Sequence, residues 1–164
     1  MTADPVTPNA LATGGGSWTG RTSRRGREAL LEQSPGPDSP VGPLWDSLVE
    51  VLGAIDGPSS ALLATADGHA VAVHGLARSD VAVVARRSRA AFAARTPGGP
   101  DPDRVVDTVE LTLGLRHTVI ASVPSPGRGR HLLTVTAQGV SVQVLEAWTR
   151  RLADDIHRAM PATA

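Results

Sequence analysis

The side chains of this sequence that could do chemistry are few, and their spacing decides against most of it. Asp67, His69 and His74 lie close enough along the chain to suggest a metal site. They belong to a segment that reads as a β-hairpin, on which odd and even positions point to opposite faces. His69 and His74 therefore diverge and do not share an ion, and Asp67 is explained as a turn residue. Ser59, Ser60, His117 and His131 supply the parts of a Ser–His hydrolase. Such a nucleophile sits on a Gly-x-Ser-x-Gly elbow between a strand and a helix. No such elbow exists here, and capping, turn and strand-end roles account for these residues. A Gly-x-x-x-x-Gly-Lys phosphate loop is impossible, because all 16 basic residues are arginine and lysine is absent. Cysteine is absent too, which removes disulfides, thiolate nucleophiles and thiolate metal ligands and fits a reducing compartment. Trp45 and Trp148 fall on helical segments and read as core or interface rather than ligand-stacking residues. The residues thus point to no catalytic, cofactor-binding or metal-binding site.

Composition narrows the class further. The formal net charge is +0, so no global field favours nucleic acid or a membrane surface. No segment approaches the roughly 20 consecutive apolar residues that cross a bilayer. The N-terminus has no basic region followed by an apolar core, so it does not read as a secretory signal. The expectation is a cytoplasmic protein with no membrane insertion. With one Phe, no Tyr and three Trp, the core must be aliphatic.

The elements that would position any site follow from periodicity. Residues 1–40 are rich in Pro, Gly, Ser and Thr, show no period, and are expected to be a disordered tail. Arg24, Arg25 and Arg27 inside it read as a solvated charge run, neutralised locally by Glu28, Glu32 and Asp38. The expected domain spans residues 41–160, and residues 161–164 are a short tail. A first helix opens near Pro43 and carries Leu44, Leu48, Val51, Leu52 and Ile55 at helical spacing. Gly57 and Pro58 stop it. A hairpin runs from Ser59 to Gly75, with Asp67-Gly68 suited to a two-residue turn. Its first strand, Ala61–Ala64, is apolar on both faces and so is expected to be covered twice.

Ser79 reads as the N-cap of a second helix ending near Arg95, with Asp80 against the positive end of the dipole. Val81, Val84, Ala85, Ser88 and Phe92 share one face of it. Val83, Ala90, Ala93 and Ala94 lie on or near the opposite face, with Arg86, Arg87 and Arg89 interleaved. A helix apolar on two opposed faces is buried twice, once by its own sheet and once by a partner; the alternative is that alanine simply tolerates exposure. After a Pro-rich loop at residues 96–103, Val109, Leu111, Leu113 and Leu115 alternate with polar residues as in a half-buried strand. A turn near Arg116-His117 leads to a strand at Thr118–Val123. A loose turn over 124–130 leads to a last strand from His131 to Ala137. The closing helix has the clearest local signature. Ser141 is its N-cap, Val140 and Leu145 form a hydrophobic staple, and Leu145, Trp148, Leu152, Ile156 and Met160 make one stripe.

Helix, hairpin, helix, three-strand meander, helix resembles the Roadblock (dynein light chain) family. The opening helix Leu48–Gly57 is similar to that of the family. So are the small-apolar strand running into Asp-Gly at Ala61–Gly68 and the Ala-rich helix Val81–Ala94. The resemblance covers about residues 43–160. It implies an α/β (α+β) fold with a central five-stranded antiparallel sheet and helices on both faces. It implies a homodimer made by the second helix and third strand of each copy, and no enzyme chemistry. For bacterial members it implies binding to a small Ras-like GTPase and regulation of its nucleotide state. On this reading the protein is a regulatory, scaffolding homodimer of the small-GTPase-regulator type. Val83, Ala90 and Ala94 are its expected dimer contacts, and Arg86, Arg87 and Arg89 its expected partner contacts. The alternative is a small-molecule-sensing α/β domain of related shape, which would need a concave cavity with a few convergent polar groups.

Overall fold

The structure, a computed structural model, describes residues 29–95, 106–125 and 129–160. The order of elements is β1 (Leu30–Gln33), α1 (Gly42–Gly53), β2 (Ser59–Thr65), β3 (Ala70–Ala77), α2 (Arg78–Arg95), β4 (Thr108–Leu113), β5 (Arg116–Ser125), β6 (Gly129–Gln138) and α3 (Val142–Ala159). The strands form one antiparallel sheet in the order β1-β3-β2-β6-β5-β4. The expected Pro-rich loop at residues 96–103, the middle of the turn over 124–130 and the tail at 161–164 lie outside the described residues.

The doubly apolar β2 explains the layering. Ala61, Leu62, Leu63 and Ala64 are all buried. Ala61 and Leu63 face α1 and α3, in a core with Trp45, Leu48, Leu52, Leu145 and Ile156. Leu62 and Ala64 face the opposite way, against Ala85 of α2. Farther along that second face, Phe92 of α2 packs on Val109, Ile120 and Leu132. Each helix is placed by its own stripe: α2 buries Ala85, Ser88 and Phe92, on the face its spacing marks out. On α3, Ser141 caps the helix by accepting from the Val144 N–H, and Leu145, Leu152 and Ile156 are buried.

Several expectations are corrected. The sheet has six strands, not five, because Leu30–Gln33 lies within the expected tail and pairs antiparallel with β3. That pairing is made to residues some forty positions away, so no local period announces it. The β2–β3 connection spans Ala66–Gly68 rather than two residues. Gly68 donates to Thr65 O at 2.9 Å and has φ +90°, and Thr65 N bonds His69 O at 2.9 Å. This is the three-residue hairpin loop whose last position favours glycine. Helix α2 begins at Arg78, so Ser79 stands inside its first turn rather than ahead of it. The β4–β5 turn is Gly114-Leu115, which makes Leu115 a turn residue.

One buried polar atom invites a measurement. Thr149 of α3 is fully buried, and its hydroxyl finds no hydrogen-bond partner among the described residues. An unmet buried hydroxyl costs about 1–3 kcal/mol. Thr149→Val, which keeps the shape and removes the hydroxyl, is expected to raise stability by roughly 1 kcal/mol in chemical denaturation. A loss of that size instead shows that the hydroxyl is satisfied in solution.

Candidate protein-interaction surface

The candidate chemical groups are not assembled into a reactive site. Ser59 Oγ donates to the carbonyl of Leu52 at 3.2 Å, and His117 Nδ1 meets Thr112 Oγ1 at 3.0 Å. Ser59 and His117 both pair with Ala137, one from each side. They are therefore two strand spacings apart, roughly 10 Å, beyond reach of a proton transfer. His131 sits opposite Thr65, at the far end of β2 from Ser59 and Ser60. His74 Nδ1 is 2.6 Å from Glu32 Oε2 of β1, and its pairing in β3 sets it away from the exposed turn that holds Asp67. Among the described residues, no three His, Asp or Glu side chains are grouped to hold a metal ion.

The surface that stands out is at the β4 edge. Val109 starts the apolar stripe of this strand and is buried under α2. Helix α2 does not extend over the rest of the stripe. Leu111 is 40% exposed, Leu113 83% and the turn residue Leu115 75%. Period-2 spacing is thus fulfilled in the strand, but no element among the described residues covers its outer part. A groove of about 460 Å³ lies between this hairpin and α2, with Leu111 and Leu113 on one side and Val83, Val84 and Arg87 on the other.

The floor of the groove is made of hydroxyls that largely satisfy one another. Thr118 Oγ1 lies 2.9 Å from Thr136 Oγ1, and Thr134 Oγ1 donates to Ser88 Oγ at 2.8 Å. Paired hydroxyls present no strong nucleophile; the charged residues of the lining are Asp80, Arg87 and Arg116. Among the described residues no strand lies beside the outer edge of β4, and its main-chain donors and acceptors there suit pairing with another strand. Behind it, Thr108 Oγ1 donates to Glu146 Oε1 at 2.9 Å and accepts from Arg150 at 2.8 Å, while Glu146 and Arg150 pair one turn apart on α3. These contacts fix the edge strand to α3 and hold the edge in a defined position.

The residues singled out on α2 divide by flank. Val83 is half-buried in the wall of the groove, and Arg87 stands one turn along the same wall. Ala90 and Ala94 are exposed, Ala90 on the crest away from the sheet and Ala94 turned toward the flank of Val83. Arg86 is exposed near the crest. Arg89 lies on the far flank, where its guanidinium donates to the carbonyl of Ala66 in the β2–β3 turn at 3.4 Å. The three arginines therefore do not form one patch. Sequence spacing did not mark Leu111, Leu113 and Leu115 as surface residues, because alternation marks an apolar face without saying what covers it.

No protein-family model matches the sequence, and no curated protein does. Solved structures do resemble the fold. A Roadblock/LC7 domain from Streptomyces avermitilis is 18% identical over 66% of this chain and 90% of its own, with a TM-score of 0.48. An MglB solved with a tetrameric arrangement is 15% identical over 73% of this chain and 89% of its own, with a TM-score of 0.50. The gliding protein MglB from Thermus thermophilus is 14% identical over 73% of this chain and 90% of its own, also at 0.50. The fold of this chain is that of a Roadblock-type domain.

Proposed function

We propose that this Roadblock-type domain is a non-catalytic regulatory module that works as a homodimer and binds a small Ras-like GTPase. The observation that carries the reading is the β4 edge. An open strand edge, three exposed leucines and an adjoining helix wall with Val83 form one continuous surface that a second copy can complete. A two-fold contact of β4 with β4 extends the sheet, and α2 of each copy then covers apolar surface of the other. Val83, Ala90 and Ala94 belong to this contact, with Leu111 and Leu113 added to them.

The GTPase as partner comes from the family resemblance. Small-molecule sensing has less support, since the groove is open, its hydroxyl floor is paired internally and its wall leucines face outward. No helix among the described residues is long and apolar enough to cross a membrane.

Of the expected partner contacts, Arg86 and Arg89 do not line the groove of the proposed dimer, whereas Arg87 does. Guanidinium groups pair with acidic surfaces on another protein while their stems cover apolar surface. The test is titration of a small Ras-like GTPase from the same genome against wild type, the Arg86→Gln/Arg89→Gln double variant, and the Arg87→Gln single variant. Exposed pairs contribute about 0.5 kcal/mol each, so the double variant is expected to bind roughly fivefold more weakly at low salt, with the difference shrinking as salt rises. The Arg87 variant is expected to change the dimer constant more than GTPase affinity. Equal GTPase affinity of wild type and double variant, both folded and dimeric, removes these arginines from the partner surface. No binding by the wild-type dimer at any salt removes the GTPase reading itself.

A further inference from the structure

The opposite edge of the sheet is treated in the reverse way. Strand β3 is eight residues long, and β1 lies along it. Every feature of β1 is one that discourages another strand from joining. It has four residues, of which Leu30, Glu32 and Gln33 are exposed. Its ladder with β3 is interrupted between Leu31 and Gln33, where two steps of β1 lie against three of β3. At that interruption the exposed Glu32 reaches back to β3, with Oε1 accepting from the Gly75 N–H at 3.0 Å and Oε2 2.6 Å from His74 Nδ1. Pro35 stands two residues past the strand and is buried, which limits how far the pairing strand can lengthen. A short strand, a charged edge residue and a proline are among the devices by which natural sheets protect an edge.

We infer that β1 is an edge guard: it keeps β3 from pairing with β3 of a second copy, and so limits self-association to the β4 side. The β3 strand beneath is twice the length of β1 and so can template such a pairing, with the half-buried Val71 and Leu76 along it. A subunit with two self-complementary edges joins copies without a natural stop, whereas one with a single open edge stops at two. The inference rests on the proposed β4 dimer for the number at which assembly stops, but not for the action of the guard.

The guard is held by little apolar contact. Leu31 packs against the cluster of Leu62, Val73 and Ala85, and the Glu32 clasp supplies the rest. The full-length Leu31→Ser/Glu32→Ala variant therefore unseats β1, and Glu32→Ala alone is a milder step. Sedimentation over a wide concentration range is expected to show wild type at one discrete mass. The double variant is expected to show heavier, concentration-dependent species with unchanged circular dichroism. Two controls identify the edge. A peptide spanning residues 28–41, added in trans, returns the double variant to the wild-type mass. So does adding His74→Lys to the double variant, which places a charge on the exposed edge. Folded variants that keep the wild-type mass at every concentration, while β1 amides exchange faster, overturn the inference. Unfolding of both the double and the single variant overturns it as well, because a guard can be lifted without loss of the fold. A wild-type monomer defeats the β4 dimer instead, and the double variant is then expected to be a dimer through β3.

Discussion

Gly75→Ala is expected to cost roughly 3 kcal/mol, about 10 °C in the midpoint of thermal unfolding for a domain of this size. Gly75 sits in β3 at φ +66°, where a side chain carries a penalty of roughly 1–2 kcal/mol. A Cβ there would also stand 2.5 Å from the backbone carbonyl oxygen of Ser59 in β2. A flexible side chain could move aside, but a strand carbonyl in the middle of the sheet cannot do so without parting β2 from β3. Parting them disturbs Leu62 and Val73, both buried beneath α2, and the Gly75 N–H that holds Glu32. Gly114 provides the matched control. Its φ is +60°, and a Cβ there meets nothing within 4 Å. Gly114→Ala is therefore expected to lose only the conformational part, roughly 1–2 kcal/mol. The difference between the two variants measures the close approach of the strands. Equal losses in denaturant titrations of the two would show that β2 and β3 yield easily, and would remove Gly75 as a fixed point of the sheet.

Where the sequence is legible, a local rule and a long-range requirement agree. Ser141 is recognisable as a cap because its partner is three residues away, and the stripe from Leu145 to Ile156 is recognisable because one helix carries all of it. The burial of Ala61–Ala64 on both faces follows from four apolar residues in a row, since no half-exposed strand would tolerate them. β1 is illegible for the opposite reason. Leu30, Leu31, Glu32 and Gln33 show no alternation, and what orders them is Gly75 and His74, far along the chain. The β4 edge falls between these cases. Val109, Leu111 and Leu113 do alternate, and Val109 is covered as expected. The other two are not covered, because α2 lies over the sheet nearer Val109, and the placement of a helix over a sheet is set by packing rather than by spacing. The arginines of α2 show the same limit. Neighbours in sequence on a helix are about 100° apart, so Arg86 falls near the crest and Arg87 in the groove wall although they adjoin in sequence.

Val83→Glu is expected to weaken the proposed dimer by about a hundredfold or more while leaving the subunit folded. Val83 lines the groove that the second copy is proposed to fill, so the dimer would take the new carboxylate out of water in a wall it shares with Val84 and Arg87. Breaking an apolar seam with an unmatched charge costs about 3 kcal/mol or more, which corresponds to roughly two decades in Kd. In the separated subunit the same carboxylate faces water. It is also one helical turn before Arg87, an arrangement that favours the helix by about 0.3 kcal/mol. Dissociation and unfolding are thereby separated: the variant gains a contact as a monomer and loses one as a dimer. Ala90→Glu is the graded comparison. Ala90 is exposed on the crest of α2, so a carboxylate there is expected to weaken association less than the one at Val83 unless the two α2 helices cross directly at their crests. Sedimentation equilibrium of wild type and both variants reads out the order. A larger effect at Ala90 than at Val83 moves the seam from the groove to the crest of α2. A Val83 variant that keeps the wild-type dimer constant places the second copy away from this surface, and the exposed leucines of the β4 hairpin then need another partner.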